Sequence, residues 1–181
     1  MDPIFDLFKT RAATVSAEVY RFAAKAQAVD FICNFVAHET SESNGFALWA
    51  DCPLLNGFDK SRLCEEVPGL RFNVNRENAA GARIGISQMH WGISNTGTLV
   101  QDATAVEQRL VSTLPEIHIA IVATGNILPD LPALLSRVNI KEINYFSFIT
   151  GPSRTADIER VLTIGVHGPK RLVIVAVDEL T

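Results

Sequence analysis

FSFITGPSRTADIERVLTIGVHGP, residues 146–169, decides the fold reading because its character changes twice. Phe146 to Ile149 has the aromatic and β-branched content of a buried strand. Gly151 and Pro152 break that strand. Ile158, Val161, Leu162 and Gly165 then fall at the spacing of one helix face. The order is strand, tight loop, helix, and the loop is expected at the carboxyl end of the strand. Ser153 or Thr155 is placed to cap the helix, so that its first-turn N–H groups converge with the Arg154 guanidinium on a space that suits an anion. The plainer alternative stays open: Arg154 pairs with Asp157 or Glu159 and the turn is only a cap.

Working outward, the same alternation recurs. Asp2 before Pro3 reads as an N-cap with proline at the first helical position, opening a brief, peripheral helix over about 2–13 whose apolar face is Ile4, Leu7 and Phe8. Ala17 to Ala23 reads as an edge strand, and Val29, Ile32, Cys33 and Val36 as a helical stripe ending near His38. Glu39 to Gly45 reads as a loop, Phe46 to Ala50 as a strand and Lys60 to Glu66 as a short helix. Ile84–Ser87, Trp91–Ser94 and Thr98–Gln101 are short strand-like pieces, with Asn95-Thr96-Gly97-Thr98 turning between the last two. Ala105 to Leu114 is helical, and Ile117 to Ala123 is apolar enough for a strand covered on both faces. A helix opening near Pro129 carries Leu131, Leu134, Leu135 and Val138; strands follow at Ile143–Ile149 and Leu172–Val177. Strand and helix in alternation predict one α/β domain over residues 1–181, with a largely parallel sheet flanked by helices.

A net charge of −4 without a basic stripe argues against nucleic acid and anionic membrane surfaces. Cys33, Cys52 and Cys64 share no close spacing and His38, His90, His118 and His167 are scattered, so no metal site and no intrinsic cofactor is expected. The acidic start and the lack of a long apolar run predict a cytoplasmic chain without membrane insertion. Walker, dinucleotide and nucleophile-elbow motifs are missing. Two polar turns remain, 95–98 and 151–155. At Gly97 the glycine allows either a sharp hairpin or the close approach of a ligand. His118 sits in an apolar strand as a hydrogen-bonded core histidine, whereas His167, between glycine and valine neighbours, is a candidate to face a cleft.

The pieces WGISNTGTLVQ (91–101), RLVSTLPEIHIAIV (109–122) and ITGPSRTADIERVLTIGVHGP (149–169) closely resemble the LUD domain, the lactate-utilization protein C group. The resemblance implies a fold like that of glucosamine-6-phosphate deaminase (NagB), ribose-5-phosphate isomerase and the coenzyme A transferases. It implies a part in oxidising L-lactate to pyruvate beside partner subunits that carry the iron–sulfur clusters. The family motif falls on Thr96, Gly97, Thr98, Arg109, His118, Gly151, Pro152, Ser153, Arg154, Thr155, Asp157 and His167. With Asn95 these are the ligand-binding candidates, His118 and Pro152 apart. The expected ligand is an anionic small molecule. Relatives usually have glutamate where this chain has Asn95. An amide hydrogen-bonds but is neither base nor nucleophile, so a binding role is favoured over catalysis. The alternative is a stand-alone enzyme on a phosphorylated or acyl substrate. The chain is also expected to be shorter at its amino end than many relatives.

Overall fold

The computed structural model describes residues 2–43, 45–139, 143–156 and 162–180. Helix α1 (Pro3–Thr14) starts where Asp2 Oδ1 accepts from the Phe5 N–H. Then come β1 (Ala17–Phe22), α2 (Lys25–Ser43), β2 (Ala47–Trp49), α3 (Lys60–Glu66), β3 (Leu70–Arg71), α4 (Arg76–Gly81) and β4 (Ile84–Met89). A hairpin of β5 (Trp91–Ile93) and β6 (Thr98–Asp102) leads through α5 (Val106–Thr113) to β7 (Ile117–Ala123). The remaining elements are β8 (Ile127–Leu128), α6 (Leu131–Arg137), β9 (Phe146–Ile149), β10 (Arg154–Ala156), β11 (Leu162–Ile164) and β12 (Arg171–Val177).

Six strands form a sheet in the order β1-β12-β7-β4-β2-β3, and every neighbouring pair is parallel. The α/β expectation is met, and the near-continuous apolar runs of β7 and β12 have the physical cause anticipated: both faces are covered. Ile117, Ile119 and Ile121 with Val173, Val175 and Val177 point to one face, against Val29, Ile32 and Val36 of α2. Ala120, Val122, Ile174 and Ala176 point to the other, against Phe5, Phe8 and Ala12 of α1. The period-two alternation thus divides two cores between two helical layers.

Four local expectations change. Helix α1 is not peripheral: Phe8 and Ala12 are fully buried, and its packed face is Phe5, Phe8 and Ala12, while Ile4 and Leu7 are exposed. Helix α2 runs through the stretch read as a loop, because the polar residues there have partners: the Thr40 hydroxyl donates to Val36 O (2.7 Å), and Glu39 accepts from Arg171 (2.6 Å) and Arg83 (3.2 Å). Strand β9 is not buried; it is an edge of a second sheet, β8-β5-β6-β9, where it runs antiparallel to β6 and leaves Phe148 half exposed. Finally, the segment read as a capped helix after residue 153 is a pair of antiparallel strands at its described ends, β10 and β11, with Arg154 opposite Ile164 and Thr155 opposite Thr163. The β-branched Thr155, Thr163 and Ile164 suit strand pairing, which outweighs the helical spacing of the apolar residues. Residues 157–161, including Asp157, lie outside the described residues.

Candidate functional site

Because β9 runs antiparallel to its neighbour, its carboxyl end lies beside the amino ends of β7 and β12. The Gly151-Pro152-Ser153 turn therefore sits there, and not at the carboxyl ends of the parallel strands. It meets the His167-Gly168-Pro169 turn, which leads into β12, and the two are tied by Ser153 N–H to Pro169 O (2.8 Å) and Gly165 N–H to Ser153 O (2.9 Å). Between them, the end of α5 and the start of β7 lies a cavity of about 250 Å³. Its polar lining comes from Ser112, Thr113, His118, Thr150, Ser153 and His167, with Phe148, Ile149 and Leu172 as apolar wall.

His118 is the buried group in this wall. Its Nε2 lies 2.8 Å from the Ser87 hydroxyl, as a core histidine's should, but its buried Nδ1 has no hydrogen-bond partner. Burial pushes the imidazole down to about 3, so it is neutral at ordinary pH. Such a ring hydrogen-bonds and does not serve as a general base for Ser87, which is itself fully buried. His167 is exposed at the rim.

The predicted residues divide into three groups. Gly151, Ser153 and His167 share the cavity. Thr96 and Thr98 reach its edge through a row of hydroxyls: Thr98 Oγ1 donates to Thr96 Oγ1 (2.8 Å) and lies 2.8 Å from Thr150 Oγ1. The two polar turns of the sequence are thus neighbours.

Others do different work. Gly97 has φ +66°, and its close approach is to α1 and not to a ligand: an added Cβ would sit 2.6 Å from Arg11 C. Gly151, φ +71°, lines the cavity and is also pressed in the same way on the backbone of Val15. Arg154 donates to Val15 O and Ser16 Oγ, each at 2.9 Å, and so caps the end of α1. The expected helix N-terminus is therefore corrected: Arg154 begins a strand, and one nitrogen of its guanidinium is bonded to the end of α1. Asn95 is exposed, its N–H bonded to Pro129 O (3.1 Å), and Thr155 lies in β10. Arg109 is not among the lining residues: its carbonyl accepts from Ser112 and Thr113, but its side chain donates to Ala103 O and Thr104 O and lies over the Tyr145 ring at 4.7 Å. Ser112 and Thr113 lie in the stretch 109–122 but were not among the candidates; they enter because α5 ends beside β7.

The match to known proteins now becomes decisive: the family model of the LUD domain fits residues 5–177. This chain belongs to the LUD domain family. The LUD-domain chain is 38% identical over 113 residues to lactate utilization protein C of Exiguobacterium sp., a match covering 59% of this chain and 49% of that protein. It is 33% identical over 109 residues to the protein of the same name from Halalkalibacterium halodurans, covering 57% and 47%. It spans about half the length of these curated relatives. Its fold is shared with the crystal structure of a DUF162 family protein from Deinococcus radiodurans, at TM-score 0.61 and 18% identity over 97% of this chain and 96% of that one. Among the described residues, no group of three or more His, Cys, Asp or Glu is arranged to hold a metal ion, and no helix is long and apolar enough to cross a membrane.

Proposed function

We propose that this LUD-domain chain is a component of L-lactate utilization, acting beside partner subunits that carry iron–sulfur clusters, and that the cavity at the amino ends of β7 and β12 takes a small hydroxy or keto acid. The observation that carries the binding role is His118, which lines the cavity and whose buried Nδ1 has no protein partner. Buried polar atoms are ordinarily paired, and an unpaired one costs about 1–3 kcal/mol, which a bound ligand group recovers. The hydroxyls of Thr150 and Ser153 offer further hydrogen bonds, and the His167 imidazole at the rim offers another. The lactate reading is supported by the names of the relatives. Binding is favoured over acid–base turnover, because Asn95 is an amide and His118 is held neutral.

The test is a titration of the purified chain with L-lactate and with pyruvate, read by melting temperature and by amide NMR shifts, together with co-purification with the iron–sulfur subunits. A ligand present at 100 times its Kd is expected to add about 2.7 kcal/mol to stability. The His118→Phe variant is expected to lose that gain. Absence of any response to both acids, with no co-purification, would overturn the proposal.

A further inference from the structure

A second cavity, of about 650 Å³, opens at the opposite end of the sheet. The chain passes from β2 outward to β3, then returns to the other side of β2 with β4, β7 and β12, so the direction of strand addition reverses between β2 and β4. The crevice outside the carboxyl ends of the strands at such a reversal is where open α/β sheets bind ligands. Asp51 lies just after β2, Gln88 near the end of β4 and His90 just after it; all three line this cavity, and Trp91, Asp102 and Gln108 add to its polar and aromatic wall.

The polar groups here are oriented by the protein and leave specific atoms free. Gln88 Oε1 accepts from Leu54 N–H (2.9 Å), which turns the Gln88 NH₂ the other way, where no described protein group pairs with it. Gln108 is fixed at both ends, accepting from Gln101 (2.9 Å) and donating to Asp51 O (3.0 Å). His90 Nδ1 accepts from Asp102 N–H (3.2 Å), so its proton is on Nε2, a donor with no partner among the described residues. Burial disfavours the imidazolium, and the charge of Asp102 only partly offsets this. The Trp91 indole is steadied by Phe146, stacked 5° from parallel at 6.0 Å.

The charges select the ligand. Lysine and arginine are missing from the lining, whereas Asp51 and Asp102 belong to it. The Thr104 hydroxyl at 2.6 Å holds Asp102 below the usual carboxylate range, and Lys60 pairs with Asp51 from outside the lining (2.7 Å). Such a wall repels phosphates and carboxylates. What it offers is two fixed N–H donors, carboxylate acceptors and an aromatic side.

We infer that this crevice is a binding site, separate from the motif cavity, for an uncharged planar nitrogen heterocycle of the nucleobase type, held by Gln88 and His90 donors beside Trp91. Aromatic contact with a base contributes about 1–3 kcal/mol and each oriented hydrogen bond adds discrimination. The site stands independently of any lactate role.

The test titrates the full chain with adenosine, guanosine and their 5′-monophosphates, by calorimetry and by tryptophan fluorescence; the signal of Trp91 is separated from that of the other tryptophan, the buried Trp49, with a Trp49→Phe variant. Saturable binding of at least one nucleoside is expected, with its monophosphate several-fold weaker. Gln88→Leu is expected to weaken binding about tenfold. Since Gln88 also pairs with Leu54, that variant is checked by its melting curve, and His90→Asn supplies a second reading. Asparagine keeps an acceptor for Asp102 N–H and removes the Nε2 donor, so it too should cost about tenfold. No saturable binding of either nucleoside, a monophosphate bound as tightly as its nucleoside, or affinity unchanged in both variants would overturn the inference.

Discussion

Gly97→Ala is the sharpest test of how the two polar turns are built. A Cβ at this position would lie 2.6 Å from Arg11 C and 2.7 Å from Ala12 Cα, and closer still to Ala12 N. Ordinary contact begins near 3.4 Å, so the backbone of α1 must withdraw by roughly 1 Å or the hairpin must deform. Alanine at φ +66° adds about 1 kcal/mol of left-handed strain. Withdrawal of α1 loosens Phe5, Phe8 and Ala12 from the face formed by Ala120, Val122, Ile174 and Ala176. Full loss of one buried phenylalanine costs about 3–5 kcal/mol, so partial loss with the strain gives an expected destabilisation of about 3 kcal/mol. Equilibrium urea unfolding measures it as a lower midpoint at similar slope. A loss under about 1 kcal/mol would refute the packing argument. If affinity for a ligand of the motif cavity fell while stability held, the glycine would belong to the ligand after all.

Arg154→Ala removes two hydrogen bonds to the end of α1 and is expected to cost about 1 kcal/mol, the exposed setting weakening both; affinity at the motif cavity should change little, and a tenfold affinity loss at constant stability would place the guanidinium on the ligand. For His118, the unfolded chain takes up a proton near the ordinary 6.5 while the folded chain resists until about 3, so stability from this group is complete above pH 6.5 and falls as the pH drops between those values. At pH 5 the loss is about 2 kcal/mol, read as a lower urea midpoint than at pH 7, and His118→Phe should remove that part of the pH dependence. Glu39 is the carboxylate to watch at lower pH. Burial raises it, but the hydrogen bonds and charges of Arg171 and Arg83 outweigh that and leave it lowered, so its contribution is present above the ordinary 4.5 and is lost as the pH falls through its depressed value. Glu39→Gln, which leaves two arginines without this partner, should cost up to about 3 kcal/mol at neutral pH and nothing in strong acid, as thermal melts at both pH values would show.

Periodicity alone located most of the large sheet. The runs 117–123 and 172–177 are legible because strands covered on both faces leave no polar alternation, and the cap before α1 is legible because Asp-Pro is a local signal. The two ends of the segment expected to be a helix differ for an equally physical reason: apolar residues at spacings of three and four fit one helix face, and only the pairing of 154–156 with 162–164 shows strands at those ends. Glu39 and Thr40 looked like loop residues because their partners, Arg171, Arg83 and Val36, are invisible to a reading of local polarity.

The sequence by itself determined that this is an α/β chain of the LUD type with two polar turns as its distinctive chemistry, since hydrophobic period and turn residues act over short distances. Tertiary structure decided what each residue in those turns does. It set Gly97, Gly151 and Arg154 against the end of α1, a helix that looked peripheral, and left Ser153, His167 and an unpaired His118 nitrogen around the cavity. It also made the crevice of His90 and Gln88 from β4 and loops far apart in the chain. Long-range packing alone fixes which polar atoms are satisfied by the protein and which are left for a ligand.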